Sequence, residues 1–343
     1  MWRDALTRRF PALASFGADT YVVGGAVRDL LAGREPADVD VACLDPLAAA
    51  RSLGGKVIRL GDQEHLSAYR VVLPEHVYDF AGLLDDDIGV DLARRDFTAN
   101  AMAVDLAHDA LLDPHGGQND VRDRVVRMVR AENYDDDPLR TLKGVRMAVK
   151  YGMTVDEATI EAIRPRAAGI LGVASERVMY ELSVIFSSNA FRKAVELLGR
   201  LALDVPLGFR AGAFQADEVS FAGSLALLVA DPHAHAKRWR WSSMLLREVL
   251  ALQTLIEQHG RIALYDAGEP VARQLPAVLR ALGRDDALDL PDFAIRPLLN
   301  GEEIGLAPGP ELGRVKRALL EAQVRGEVTT RDEAERYVTR LTA

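Results

Sequence analysis

The chain of 343 residues carries 51 acidic and 42 basic side chains, a formal net charge of −9 at pH 7, and one cysteine. That length provides for two or more domains with ample core, and the lone Cys43 excludes a disulfide framework or a cysteine-rich zinc site. The cysteine usage fits a reducing, cytoplasmic compartment. The acidic balance argues against a surface that grips nucleic acid everywhere, although acidic outer helices and metal-binding carboxylates coexist with a basic groove.

Taken in order, residues 20–24 read as a buried strand end running into Gly24 and Gly25. Glycines there let the backbone turn sharply and bring its N–H groups close to an anion. A short helix follows, with Val27, Leu30 and Leu31 on one face and Gly33 as its stop. Its N-terminus favours a phosphate, and Arg28 adds a full charge one turn in. Residues 38–44 read as a strand, so Asp38 and Asp40 project to one face about 7 Å apart along the backbone. Two carboxylates on one face suit Mg²⁺, which shares its oxygen ligands with substrate phosphates. A pair of such ions about 4 Å apart stabilises both the attacking and the leaving oxygens of an in-line displacement.

Further strands are expected at 56–59, 69–73, 76–80 and 99–105, an α/β pattern around a sheet. From about residue 137 the periodicity is helical almost throughout, with breaks near Gly152, Pro165, Gly169, Pro206, Pro232 and Pro291. A loop rich in glycine and proline, from Pro297 to Pro310, precedes a final pair of helices. No apolar run approaches the ~18 residues of a membrane span, and the opening residues lack the apolar core of a secretory signal.

Gly24, Gly25, Val27, Arg28 and Asp29 followed by Asp38 and Asp40 resemble the first motif of the tRNA nucleotidyltransferase and bacterial poly(A) polymerase family, the class II enzymes that include bacterial CCA-adding enzymes. Arg94, Arg95 and Asp96, with Asn100 beyond them, resemble its second motif, which implies ribose and triphosphate recognition by Arg95 and Asp96. Guanidinium forks suit phosphate oxygens, and a carboxylate accepts from sugar hydroxyls. Asp79 lies on a short strand, and the resemblance places it beside Asp38 and Asp40. It is either a further metal-site carboxylate, a group that helps activate the attacking hydroxyl, or a structural aspartate. Asp113 to Asp120 resembles the third motif, a turn that braces or hinges the head.

Asp136, Asp137, Pro138 and Arg140 open a helix and resemble the fourth motif, with Asp136 where glutamate is usual. The resemblance implies that Asp137 and Arg140 hydrogen-bond the base edge of the incoming nucleotide. Such groups select by donor and acceptor pattern. Ser175 to Leu182 resembles the fifth motif, with Ser175 expected as helix cap and Glu176, Arg177 and Glu181 as braces. Lys237 to Trp241 is a basic-aromatic cluster, read as core more readily than as an RNA platform. His233 and His235 lack the pairing of a phosphohydrolase. Gly309 and the helix carrying Arg314, Lys316 and Arg317 are either a phosphate site or a packing turn.

The resemblance implies an α/β nucleotidyltransferase head of polymerase-beta type on a mixed sheet (1–136), a helical neck that selects the base (137–190), and a helical body and tail that bind tRNA (191–343). It implies template-independent transfer from CTP and ATP to the tRNA 3′ end. Asp38 and Asp40 would hold Mg²⁺, and Gly24, Gly25, Arg28, Arg95 and Asp96 would hold the nucleotide. The stretch between Phe80 and Arg94 is short, a feature associated with relatives that add only CC and leave the final A to a separate A-adding partner. Poly(A) polymerase and a non-catalytic RNA-binding relative are the alternatives.

Overall fold

The computed structural model describes residues 2–60 and 67–343. They form two compact units: Met1–Glu181 with Leu197–Leu207, and Leu182–Glu196 with Gly208–Ala343. The first is built on a seven-stranded sheet of β1 (Thr20–Val23), β2 (Val39–Cys43), β3 (Lys56–Leu60), β4 (Ala68–Val72), β5 (Val77–Gly82), β6 (Ala103–Asp105) and β7 (Ala110–Leu112). The spatial order is β3-β4-β5-β2-β1-β6-β7. Only β2 and β5 run parallel, so the sheet is mixed, as expected.

Strand alternation divides the apolar residues between two cores. Val22, Val39, Val41, Phe80 and Val104 pack with Leu6, Phe10 and Leu13 on one side. Val23, Ala42 and Ala103 meet Leu92 on the other. Helices α1 (Trp2–Arg9), α2 (Gly25–Leu31) and α3 (Pro46–Ser52) contribute to the first core, and α4 (Ile88–Ala93) to the second. Asp40 lies two residues from Ala42 and therefore shares its side of the sheet, away from the larger core.

The expected strand 99–105 is shorter. Thr98–Asn100 is a 3₁₀ turn closed by Asn100 N–H to Phe97 O and Ala101 N–H to Thr98 O, and the strand begins at Ala103. A continuous buried apolar run carries no period by which turn and strand differ. Strand β7 and the two-residue pair β8 (Val125–Val126) and β9 (Thr154–Val155) also lie outside the expected elements.

The first unit continues through α5 (Gly117–Asp123), α6 (Asn133–Asp136), α7 (Arg140–Lys150) and α8 (Glu157–Ile163) into α9 (Ser175–Phe186). Ser175 is the first residue of α9 rather than its cap; the first helical bonds run to the carbonyl of Ala174. The turn before α5 needs its glycines: Gly116 sits at φ 75°, and a Cβ on Gly117 would lie 2.3 Å from the Thr98 carbonyl.

The second unit is helical. Its last two helices, Pro310–Arg325 and Arg331–Thr342, close a core of Leu299, Val315, Leu319, Ala322, Ala334 and Val338. Trp239 is buried, and His235 stacks on Phe209, so the basic-aromatic segment is anchored in packing. Arg317, two turns into the Pro310–Arg325 helix, donates to Asp266 and Glu321, while Gly309 at the helix start is exposed. No helix among the described residues is long and apolar enough to cross a membrane.

Candidate active site

Gly24 ends β1 at φ 73°, a left-handed conformation that glycine tolerates, and its N–H bonds the Met102 carbonyl. A Cβ there would lie 2.9 Å from the Arg95 Nη1 and 3.5 Å from Asp40 Oδ2. The glycine therefore lets an arginine and an aspartate converge on the start of α2. Gly24, Gly25, Arg28, Asp38, Asp40, Arg95, Asp96 and Arg140 line one cleft of about 510 Å³.

Arg28 is buried and fully engaged. Its guanidinium donates to Asn100 Oδ1 at 2.6 Å, to the Tyr151 hydroxyl at 2.7 Å and to Asp29 Oδ1 at 2.9 Å. Asn100 in turn donates to Asp96 Oδ1 at 3.0 Å. A continuous hydrogen-bonded path thus runs from Asp96 through Asn100 and Arg28 to Tyr151. Arg95 is held by Asp91, one helical turn earlier, through two bonds to Oδ2 of 2.9 and 3.1 Å.

Asp38 precedes β2 and Asp40 lies within it. Both border the cleft. The Asp40 carboxyl meets solvent at the cleft mouth, but protein crowds it on its remaining sides. That crowding pushes it up to about 6; Arg95 pulls it back, and the like charges of Asp79 and Asp38 raise it further. Asp79 stands beside Asp40 in the parallel register of β2 and β5. Both of its oxygens are taken by Arg70, at 2.8 and 2.7 Å, and it is not part of the cleft lining.

These residues suit a divalent cation by donor type. Asp38 and Asp40 offer hard oxygen ligands at one cleft, and Asp40 sits among like charges that a cation would offset. Mg²⁺ needs only one or two carboxylates when phosphates and water complete its shell.

Helix α7 forms the opposite wall. Arg140, Lys143, Met147 and Lys150 recur at helical spacing, and with Arg146 they face the cleft. The Arg140 Nη1 donates to the Asn133 carbonyl at 2.9 Å. Asp137 lies just before the helix; its Oδ1 accepts from Leu139 N–H, and its Oδ2 accepts from Arg177 at 3.0 Å. Arg140 is thus brought to the cleft, while Asp137 faces α9 through Arg177. Glu181 of α9 is buried against Arg146 at 2.8 Å. Arg177 and Glu181 are therefore braces, as expected.

Three residues of consequence escape a reading of the sequence. Asn133, buried, donates to the carbonyls of Ala93 and Arg95, joining the second and fourth motifs. Tyr151 anchors Arg28, with Arg28, Arg34 and Lys150 ranged over its ring. Lys150 follows Arg140 and Lys143 along the cleft face of α7. The helical spacing of Lys150 is a legible signal; Asn133 and Tyr151 act only through distant partners.

Residues 20–127 match the Poly A polymerase head domain, and residues 152–203 match the probable RNA and SrmB- binding site of polymerase A. The chain is 32% identical to an A-adding tRNA nucleotidyltransferase of Deinococcus radiodurans, over 97% of this chain and 98% of that protein. It is 29% identical to a CC-adding tRNA nucleotidyltransferase of Thermus thermophilus, over 93% of each. The crystal structure of the Bacillus stearothermophilus CCA-adding enzyme in complex with CTP superposes with a TM-score of 0.80 at 26% identity, covering 99% of this chain and 98% of that one. Glycine turn, paired aspartates and basic helix face therefore occur in a chain that, by its end-to-end likeness, belongs to the tRNA nucleotidyltransferase and poly(A) polymerase family.

Proposed function

We propose that this enzyme transfers nucleotidyl groups from CTP or ATP to the 3′ end of tRNA without a template, and that its addition ends at CC. The observation that carries the transfer is the convergence of Asp38, Asp40 and Arg95 at Gly24, opposite the basic face of α7.

In the reaction the RNA 3′-hydroxyl attacks the α-phosphorus of the triphosphate. A P–O bond forms, the bond to the β-phosphate bridge breaks, pyrophosphate leaves, and the hydroxyl proton passes to solvent. Asp38 and Asp40 would hold Mg²⁺, which when bound would supply positive charge to the reacting phosphates. Arg95, fixed by Asp91, and the α7 cations Lys143 and Lys150 neutralise the triphosphate, so the protein mainly positions and balances charge. Gly24 and Gly25 admit the phosphates close to the backbone. Arg28 holds Asn100, which holds Asp96 for the ribose. Arg140, with Asp137 behind it, reads the base edge. Asp79 acts through its neighbours, keeping Arg70 beside the metal-binding carboxylates.

The CC end point rests on the link between β5 and Arg94. The 3₁₀ turn Leu84–Asp86 is followed at once by Asp87, which caps α4 and leads directly to Arg94. Among the described residues, no long segment is present there to reach over the cleft. One observation favours A addition instead: the A-adding relative is similar along nearly the whole chain. Incubation with tRNA transcripts ending before CCA, in C or in CC, together with CTP, ATP or both, separates the readings on a sequencing gel. Extension that stops at CC supports the first, and a single A added only to the CC primer supports the second. A long A tail would indicate poly(A) synthesis, and no extension of any primer would sink the enzymatic reading.

A further inference from the structure

A second cavity, of about 470 Å³, lies against the active-site cleft within the first unit, and Arg28, Asp29 and Tyr151 border both. That volume is within the range of small-ligand pockets, roughly 300–1,000 Å³. α2 supplies one wall, and Arg34 just beyond it, Gln118 and Asn119 of α5, and Arg124 supply much of the rest. The cations here differ in their commitments. Arg28 is bound to Asp29, Asn100 and Tyr151. Arg122 is paired with Asp123, whereas the Arg34 guanidinium lies over the Tyr151 ring at 5.0 Å and neither it nor Arg124 has a carboxylate within ion-pair distance among the described residues. Arg124 also holds a left-handed backbone at φ 56°, a conformation uncommon for a non-glycine residue.

Arg34 and Arg124 are exposed at one cavity with no carboxylate partner among the described residues, so both are available to an anion, and guanidinium forks match phosphate oxygens. Tyr151 is the sole aromatic among the described residues of the lining, and Arg28, Arg34 and Lys150 already crowd its ring, which leaves little surface for a free base to stack on. The charge is therefore suited to a phosphate rather than to a whole nucleotide. Arg28, Asp29 and Tyr151 border both spaces, so the cavity adjoins the cleft at which the RNA 3′ end is proposed to react.

We propose that Arg34 and Arg124 bind a backbone phosphate of the RNA strand upstream of its reacting 3′ end. This rests on the transfer reading above. The test is the R34Q/R124N double variant of the full chain; asparagine suits the left-handed position 124, and a melting curve reports folding. Binding of a fluorescently labelled tRNA transcript ending in C is measured by anisotropy at several salt concentrations, alongside extension kinetics. The expected result is RNA affinity weakened about 5- to 20-fold, with a log K against log salt slope shallower by about 0.7, the contribution of one phosphate no longer neutralised. The KM for CTP, and kcat at saturating RNA, stay within about twofold.

Unchanged RNA affinity overturns the proposal. So does a shift confined to the KM for CTP or to inhibition by pyrophosphate, which would make the cavity a site for free phosphate compounds. If the double variant does not fold, the single variants R34Q and R124N are read by the same criteria. If the wild-type protein binds RNA without extending it, the catalytic reading fails while the anisotropy still decides this one. If it binds no RNA, this one fails as well.

Discussion

Arg70 grips Asp79 with two parallel hydrogen bonds, Nε to Oδ1 at 2.8 Å and Nη2 to Oδ2 at 2.7 Å. The pair spans neighbouring antiparallel strands, and Asp79 is the register partner of Asp40 on its other side. Replacing Asp79 by asparagine weakens Arg70's hold and shifts its charge toward Asp38 and Asp40. Asp79→Asn is expected to lower kcat about tenfold, and Asp40→Asn by about a thousandfold, in keeping with loss of a group at the developing charge. An Arg70→Gln, Asp79→Asn double variant should recover part of the Asp79→Asn loss, measured as a double-mutant cycle on primer extension. Equal losses at Asp79 and Asp40 would place Asp79 among the metal-binding groups.

Gly24→Ala tests the convergence at the turn. With φ 73° and ψ −130° the backbone lies outside the left-handed helical well, a strain of about 1–3 kcal/mol for a residue with a Cβ, and the methyl also collides with Arg95. A melting temperature lowered by several degrees and a raised KM for CTP are expected together. A normal KM in a destabilised protein would show that Arg95 does not bind the triphosphate.

Base choice should be lost on the α7 side. Arg140→Ala removes a donor at the cleft, and discrimination of CTP over UTP is expected to fall about 10- to 100-fold, the worth of one or two hydrogen bonds. Arg177→Met frees Asp137 from its ion pair and should lower discrimination less than Arg140→Ala does. Single-turnover incorporation of each nucleotide measures both.

Cys43, the sole cysteine, is buried in β2, and burial pushes its thiol up to about 11. In the native protein at pH 8 it should react with a thiol reagent orders of magnitude more slowly than a free cysteine, because the thiolate is the reactive form. Full reactivity should appear only in denaturant. Rapid labelling under native conditions would contradict the packing of the central strand.

The last helix gives a pH dependence with a definite sign. Glu333 accepts from the N–H groups of Thr329 and Thr330 and from the Thr329 hydroxyl, which holds its carboxyl down at about 2. A depressed folded-state pKa stabilises above the unfolded value, near 4.5, and that stabilisation disappears as pH falls from there toward 2. Glu333→Gln should therefore loosen this helix at pH 7, read as faster hydrogen exchange at its first turn. The difference from wild type should vanish by about pH 2.

The chemistry-bearing residues are legible because their function requires fixed types at fixed spacing. Asp38 and Asp40 alternate with buried valines, and Arg140 recurs with Lys143 and Lys150 on one helix face. What stays hidden depends on separation. Asn133 reaches Arg95 across 38 positions and Tyr151 reaches Arg28 across 123, so neither belongs to any local pattern. Partnership also hides what Asp137 does: helix position places it near Arg140, but Arg177 turns its carboxylate toward α9. Most of the sheet is readable; the exceptions are the stretch around residue 100, where burial erases the period, and the three-residue β7, too short to show one.

Two consecutive aspartates, Asp85 and Asp86, adopt left-handed backbone conformations in the tight turn between Gly82 and α4. Asp87 then caps α4 with its side chain, while its own N–H bonds the Leu84 carbonyl of the turn. Such a turn tolerates inserted chain at modest cost: the side-chain cap of α4 by Asp87 is local, and doubling a loop costs only about 0.6 kcal/mol in closure entropy. Acquiring or losing a segment at this point is thus nearly neutral for folding.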